Sequence, residues 1–474
     1  MKMRMKKILG GFLFFCCLLW SISFPIQAVE MDGTVHQTSS SGAPADTDLY
    51  ASAAVLMDAD SGRVLYGKNE NTCLAMASTT KIMTCIVILE NTSREDILTV
   101  SSYAESMPKV KLYIKKGEQY RVGDLLYSLM LESHNDTAVA LAEYVGKQYL
   151  SPELRSKDTA EYTVEESKQA MAAFVKLMNR KAAQLGCENT WFITPNGLDA
   201  TETIVLEDGS AIQKEHCTTA AELARIMSYC IRESDCAEAF LEITGAGSYS
   251  FHANGRDYSC TNHNAFLSMM NGALSGKTGF TNKAGYCYVG ALEQDGRTFV
   301  VALLACGWPN NKSYKWSDTR KLMQYGLEHY FYRSFSEKGV AFDESRLKSI
   351  PVLKGRTEIL GASACVDVEI AERKSGPEQN VGTPQENEEG HADRTGEQWK
   401  DGLLLREDEE IRVEYSVKEQ LTAPVECGMT VGTIDYMVGD TIYKREEIVT
   451  VNSVMPIDLK WCGRQVLQRF LLIP

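Results

Sequence analysis

Strand patterns at both ends of one region, with helical patterns between them, most constrain the fold of this chain. Ala53 to Met57 and Arg63 to Tyr66 read as two short strands, with Asp58-Ala59-Asp60-Ser61-Gly62 supplying turn chemistry between them. A helix follows Ser78 and ends near Asn91. A second spans Val122 to Glu132 and breaks at Ser133-His134-Asn135, and a third starts at Asp136 and stops near Gly146. Residues 151–168 are polar and read as loop. Glu166 to Leu185 then carries Met171, Phe174, Val175, Met178 and Leu185 on one side, with Gly186 placed as a C-terminal cap. Thr218 or Thr219 caps another helix bearing Leu223, Ile226, Met227, Cys230 and Ile231. A strand begins near Leu274 and runs into Gly276-Lys277-Thr278-Gly279-Phe280. Tyr286 to Leu292 and Thr298 to Cys306 form a hairpin through Asp295-Gly296, and a helix from Ser317 to Tyr332 closes the region. The expected class is α+β: one antiparallel sheet built from both ends of residues 49–335 and covered by helices.

At 474 residues the chain exceeds one ordinary core, so a second domain is expected. From about 345 the pattern becomes a small all-β module, reaching to about 455. Its strand signals are Val352, Ile359, Cys365 to Ile370, Ile411 to Tyr415, Pro424 to Val438 and Ile442 to Val451. Residues 375–401 interrupt it with seven carboxylates and almost nothing apolar, the composition of a disordered acidic insertion. In the tail, 456–474, Leu459, Cys462, Val466, Phe470 and Ile473 fall at helical spacing beside Lys460, Arg464 and Arg469. Such a helix either lies at a membrane surface, giving peripheral membrane association, or packs on the β module.

Residues 1–28 read as a signal peptide: Lys2, Arg4, Lys6 and Lys7, then apolar Ile8 to Phe24, then Pro25-Ile26-Gln27-Ala28. Residues 29–48 read as a flexible leader. Taking four positive charges from a net charge of −14 leaves −18, which argues against a nucleic-acid partner. Export places the protein outside the cytoplasm, where disulfides form. Many of the twelve mature cysteines lie in apolar runs, so buried free thiols are the simpler expectation. No Cys-x-x-Cys pair exists, and neither a metal nor a cofactor is implied.

Ser-x-x-Lys occurs three times, at Ser78/Lys81, Ser106/Lys109 and Ser345/Lys348, so one copy alone says little. Only the first opens an apolar helix, where residues three apart share a face and an amine can take a proton from a hydroxyl. Lys-[Ser/Thr]-Gly occurs twice, and only Lys277-Thr278-Gly279 lies on a strand. Ser78-x-x-Lys81, Ser133-x-Asn135 and Lys277-Thr278-Gly279 follow in order, 55 and 144 residues apart. This is the set found in penicillin-binding proteins and class A β-lactamases.

Residues 49–335 resemble the serine D-alanyl-D-alanine carboxypeptidases, the low-molecular-mass penicillin-binding proteins. Asn189-Thr190 to Phe192, Thr194 to Asp199, His216 with Thr219-Ala220, and Gly276 to Thr281 followed by Ala284-Gly285-Tyr286 are similar to that family's segments. The β module, with Ala423-Pro424-Val425 and Val431-Gly432, resembles its second domain. The resemblance implies a transpeptidase-like fold, peptidoglycan stem peptides as substrate and acylation by β-lactams. It implies Ser78 as nucleophile, Lys81 as base and Ser133 as proton relay. Asn135 would bind the substrate amide, Lys277 and Thr278 its terminal carboxylate, and Gly279 would permit close approach. The backbone N–H groups of Ser78 and Phe280 would form an oxyanion hole. Two residues depart from the family: Met76 where proline is usual, and His134 where glycine is frequent, the latter able to alter substrate fit. The alternatives are a β-lactamase of the same fold and a non-catalytic β-lactam sensor or wall-binding protein. The Glu-x-x-Leu-Asn type motif of class A deacylation is missing between Asn135 and Lys277.

Overall fold

The structure, a computed structural model, describes residues 42–205, 209–359, 361–371 and 401–470. The expected signal peptide, residues 29–41 of the leader, nearly all of the acidic insertion and Ile473 lie outside the described residues.

Five strands make the central sheet: β1 (Ala53–Asp58), β2 (Val64–Lys68), β3 (Ala273–Thr281), β4 (Gly285–Gln294) and β5 (Arg297–Leu304). Their order is β2-β1-β5-β4-β3, antiparallel throughout, so both ends of the region meet at β1 and β5. Ala53 pairs with Leu304 and Asp58 with Phe299. Gln294 pairs with Arg297 across Asp295 and Gly296, both at positive φ, the backbone a two-residue primed turn requires.

Strand side chains alternate between two cores. Ala53, Val55 and Met57 face the larger one, Ala54 and Leu56 the smaller. The larger core gathers α1 (Lys81–Asn91), α2 (Asn135–Gly146), α3 (Val164–Gln184) and α4 (Ala220–Ser228). The smaller receives Leu322, Met323 and Tyr325 of α5 (Tyr314–His329). Thr163 caps α3 in a reciprocal capping box with Glu166, so α3 starts two residues earlier than its apolar pattern suggests. The expected loop at 151–168 also holds a short helix, Pro152–Ser156. Helix α5 starts three residues early and gives up its end to a strand, Phe331–Ser334.

The second helix is α-helical only over Val122–Tyr127. It widens to a π turn at Ser128–Glu132 and ends on Ser133 at φ 64°. Such turns cluster at functional sites because they displace one residue from the helical register.

Part of the expected leader is ordered against the sheet. Asp46–Asp48 form a 3₁₀ turn, and the Tyr66 hydroxyl donates to Asp46 at 2.9 Å. Beyond α5, strands Ile350–Leu353, Ala364–Val366 and Leu421–Thr422 form one small sheet. Val368–Ile370, Thr441–Thr450, Thr430–Val438 and Arg412–Val417 form another over a third core. Phe331–Ser334 pairs with Gly402–Leu405, so a strand from each region makes one ladder.

The expectation that cysteines stay as thiols fails at one pair. Cys73 and Cys217 form a disulfide, where the bridges Leu74–Thr218 and Trp191–Cys217 align the two segments. It matches what is seen at Cys85, Cys187, Cys230, Cys260, Cys287 and Cys306, which are buried thiols, whereas the thiols of Cys365, Cys427 and Cys462 are exposed.

Candidate active site

The nucleophile turn is set by backbone contacts. Ala77 sits at φ 49°, and residues Ala77–Thr80 form a 3₁₀ turn leading into α1. Thr79 Oγ1 donates to Met76 O at 2.6 Å and Thr80 Oγ1 to Ala77 O at 2.8 Å, which tie the turn down from its own side chains. His216 fixes it from outside. Its Nδ1 accepts the Ile193 N–H at 2.9 Å, so Nε2 carries the proton and donates to Thr80 Oγ1 at 2.8 Å. Burial, then the Lys81 charge, push this imidazole down to about 3, so it stays neutral.

Lys81 is fully buried. Its Nζ lies 2.9 Å from Ser78 Oγ, 3.0 Å from Asn135 Oδ1 and 2.5 Å from Asn196 O. Burial first, and the neighbouring Lys277 charge second, hold its amine well below the usual lysine range. A neutral amine has two N–H donors and one lone pair. The two carbonyl-type oxygens can only accept, so the lone pair is left for the Ser78 hydroxyl. That arrangement can draw a proton from Ser78.

Strand β3 closes the other side. A Cβ on Gly279 would lie 2.9 Å from Ser78 N and 3.1 Å from Met76 O, so only glycine lets the strand reach the turn. Gly197, at φ 82°, lies closer still, its imagined Cβ 2.1 Å from Ala77 O. Lys277 is buried beside this contact, its Nζ donating to Thr278 O at 3.1 Å, and burial pushes it down to about 7. Ser133 Oγ is buried with no hydrogen-bond partner among the described residues.

Ser78, Ser133, Asn135, Thr278, Gly279 and Phe280 line one cavity of about 490 Å³. Lys81 and Lys277 are buried behind it, so the sequence-predicted residues converge. His134 is not among the lining residues: it is buried at the start of α2 with Nδ1 2.8 Å from Ser128 Oγ. The other Ser-x-x-Lys copies gain no such setting. Ser106 Oγ donates to Tyr103 O at 2.7 Å, and Ser345 sits in an exposed 3₁₀ turn.

Several residues of this site were missed in the sequence. Asn196 supplies a carbonyl, which every residue has, and only the Pro195-Asn196-Gly197 turn marks it. Lys315, at the start of α5, is buried in the cavity wall between the rings of Tyr286 and Trp316, at 4.8 and 4.7 Å. Burial and Lys312 push it down to about 8. Nothing in the sequence separates it from the surface lysines around it. Glu132 is the one carboxylate among the lining residues. It accepts the Thr261 N–H at 2.8 Å and sits 2.8 Å from His263 Nε2.

A serine beside a buried lysine at the start of a helix, wedged against the edge of such a sheet, fits one class: a serine hydrolase with the penicillin-binding fold. The sequence profile of the D-alanyl-D-alanine carboxypeptidases (peptidase family S11) matches residues 37–149 and 164–306, and the chain belongs to that family. It is 24% identical to the D-alanyl-D-alanine carboxypeptidase DacF of Bacillus subtilis over 81% of this chain and 80% of that one. It is 30% identical to the carboxypeptidase DacB2 of Mycobacterium tuberculosis over 54% of this chain and 75% of the relative. The crystal structure of the carboxypeptidase DacD from Francisella tularensis shares the fold, with a TM-score of 0.56 at 22% identity, covering 88% of this chain and 96% of that one.

Proposed function

We propose that this protein removes the terminal D-alanine from peptidoglycan stem pentapeptides through an acyl-enzyme on Ser78, and that penicillins acylate the same serine. The observation that carries this reading is Lys81 Nζ, buried and held well below the usual lysine range, 2.9 Å from Ser78 Oγ. Ser78 attacks the carbonyl between the two D-alanines, and Lys81 takes its proton. Ser133, whose hydroxyl has no hydrogen-bond partner among the described residues, relays that proton to the leaving amine. Asn135 holds both Lys81 and the substrate amide. Lys277 and Thr278 hold the terminal carboxylate, with Lys315 adding a second positive charge in the same cavity wall. The N–H groups of Ser78 and Phe280 stabilise the oxyanion.

Glu132, the one carboxylate lining the cavity among the described residues, is already held by Thr261 and His263, and a carbonyl rather than a carboxylate faces Lys81 from the 195–197 turn. This favours slow release of penicillin over β-lactamase turnover.

The basic and apolar first 28 residues support export, and with it a role in wall maturation and cell shape outside the membrane. The division into a catalytic domain at 49–335 and a β domain at 345–455 belongs to the same reading. Helix Leu459–Phe470 leaves Leu459, Val466, Leu467 and Phe470 exposed and buries none of its residues, which supports peripheral contact with a membrane rather than packing on the β module. Among the described residues no helix is long and apolar enough to cross a membrane.

Labelling with a fluorescent penicillin, with D-alanine release from a pentapeptide measured in parallel, tests the assignment. Wild type should label and release D-alanine, and Ser78→Ala should do neither. Undiminished labelling of the alanine variant would sink the role given to Ser78.

A further inference from the structure

A second cavity, about 600 Å³, opens between the outer face of α3 and the strand Thr201–Val205, which pairs with Ala211–Glu215. Tyr103, Met171, Val175, Ile193 and Ile204 give it an apolar floor, and Lys168 and Lys176 stand exposed on its rim. Its other charged groups are occupied: Glu202 accepts from Trp191 Nε1 at 2.5 Å, and nearby Lys214 lies 5.3 Å over the Trp191 ring. Lys168 and Lys176 make no ion pair with any described residue, in a chain whose net charge is −14.

One loop separates this groove from the catalytic cavity. Ile193 and Thr194 line the groove, while Gly197 and Leu198 line the catalytic side. Thr194 Oγ1 donates to Leu198 O at 3.0 Å, closing the loop on itself. With the terminal carboxylate at Lys277 and Thr278 and the scissile carbonyl at Ser78, the upstream substrate runs along β3 to Phe280 and Thr281. Thr281 Oγ1 is 3.1 Å from Asp199, so that path leads onto the same loop. An extended peptide advances about 3.3 Å per residue. Three residues upstream of the cleaved bond therefore span about 10 Å.

We infer that this groove is a second substrate subsite, which holds the acidic upstream end of the stem peptide. A free carboxylate upstream of the cleaved bond meets Lys168 and Lys176, and the peptide's aliphatic body lies on Met171, Val175 and Ile204. The proposal rests on the carboxypeptidase reading of the catalytic cavity. Penicillin, which is too short to reach past the loop, separates the two.

The experiment compares kcat/KM for a pentapeptide with a free carboxylate upstream of the cleaved bond, the same pentapeptide with that carboxylate amidated, and an N-acylated tripeptide ending in D-Ala-D-Ala. In the wild type, amidation should lower kcat/KM about three- to tenfold, as the loss of surface charge pairs does. The double variant Lys168→Glu/Lys176→Glu should lose the same factor on the acidic pentapeptide alone, with penicillin acylation and the tripeptide unchanged. Equal wild-type rates on the acidic and amidated peptides overturn the subsite whatever the variant does. So does a variant that loses rate equally on the tripeptide. Failure of the wild type to take penicillin would instead remove the catalytic reading.

Discussion

Lys81 and Lys277 are both buried lysines, yet the proposed chemistry needs them in opposite charge states. Lys81 must be neutral to accept a proton, and this state is gained as pH rises through its lowered pKa. Lys277 must be charged to hold a carboxylate, and this state is lost as pH rises through about 7. The second-order rate of acylation by penicillin should therefore rise and then fall with pH, with the falling limb near neutrality. Arginine keeps its charge across this range. Lys277→Arg, even if slower, should then lose the falling limb. A variant profile that still falls near pH 7 would show that another group sets it. Burial is the main cause for both lysines, and it was not visible in the sequence, where the two differ only in the motifs that contain them.

Helix α2 does more than present Asn135. Glu143, two turns further along, is buried and accepts from Ser101 Oγ at 2.9 and 2.7 Å. Burial raises its carboxyl from 4.5 to about 7, against the opposing effect of Ser167 and Ser101. The folded state therefore holds a proton that the unfolded chain releases between those values. The fold's full stability is present below about 4.5 and declines as pH rises through about 7, by roughly 3 kcal/mol. Glu143→Gln should abolish that decline. Thermal unfolding at pH 5 and pH 8 checks it, and an equal drop in both proteins would exclude Glu143 as the cause. The helix was legible from its apolar spacing. The protonated carboxyl was not, because it depends on burial by segments distant in the sequence. The Ser78 helix and β3 were legible for the same local reason, as were the Asp295-Gly296 turn and the caps. The strand pairs at 201–215 and 248–261 were missed, since their alternation is largely between polar and half-buried residues.

At the scale of the whole molecule, Arg63 ties the catalytic sheet to the β module. It is buried, donates to Leu404 O at 2.5 Å and pairs with Glu409 at 2.5 Å, under the rings of Tyr330 and Tyr443. Removing one partner of a buried pair leaves the other desolvated. Arg63→Met should lower stability by about 3 kcal/mol and Tm by at least about 4 °C, with penicillin labelling retained at 25 °C. Calorimetry reads the shift, and an unchanged Tm would mean that the ladder between Phe331–Ser334 and Gly402–Leu405 holds the two regions together without it. The disulfide belongs to this scale too. Its cysteines are 144 residues apart, and no spacing rule distinguishes them from the other ten mature cysteines.

The sequence by itself determined the class of fold, the order of its elements and the three motifs that meet at the cavity. These are local: hydrophobic period, turn and cap residues, and short spacings on one helix or strand. The tertiary structure decided which Ser-x-x-Lys is buried, which lysines lose their charge and which carbonyl orients Lys81. It also decided where a second groove meets the first. Each of these depends on desolvation and on partners more than fifty residues away, and one-dimensional spacing carries no record of either.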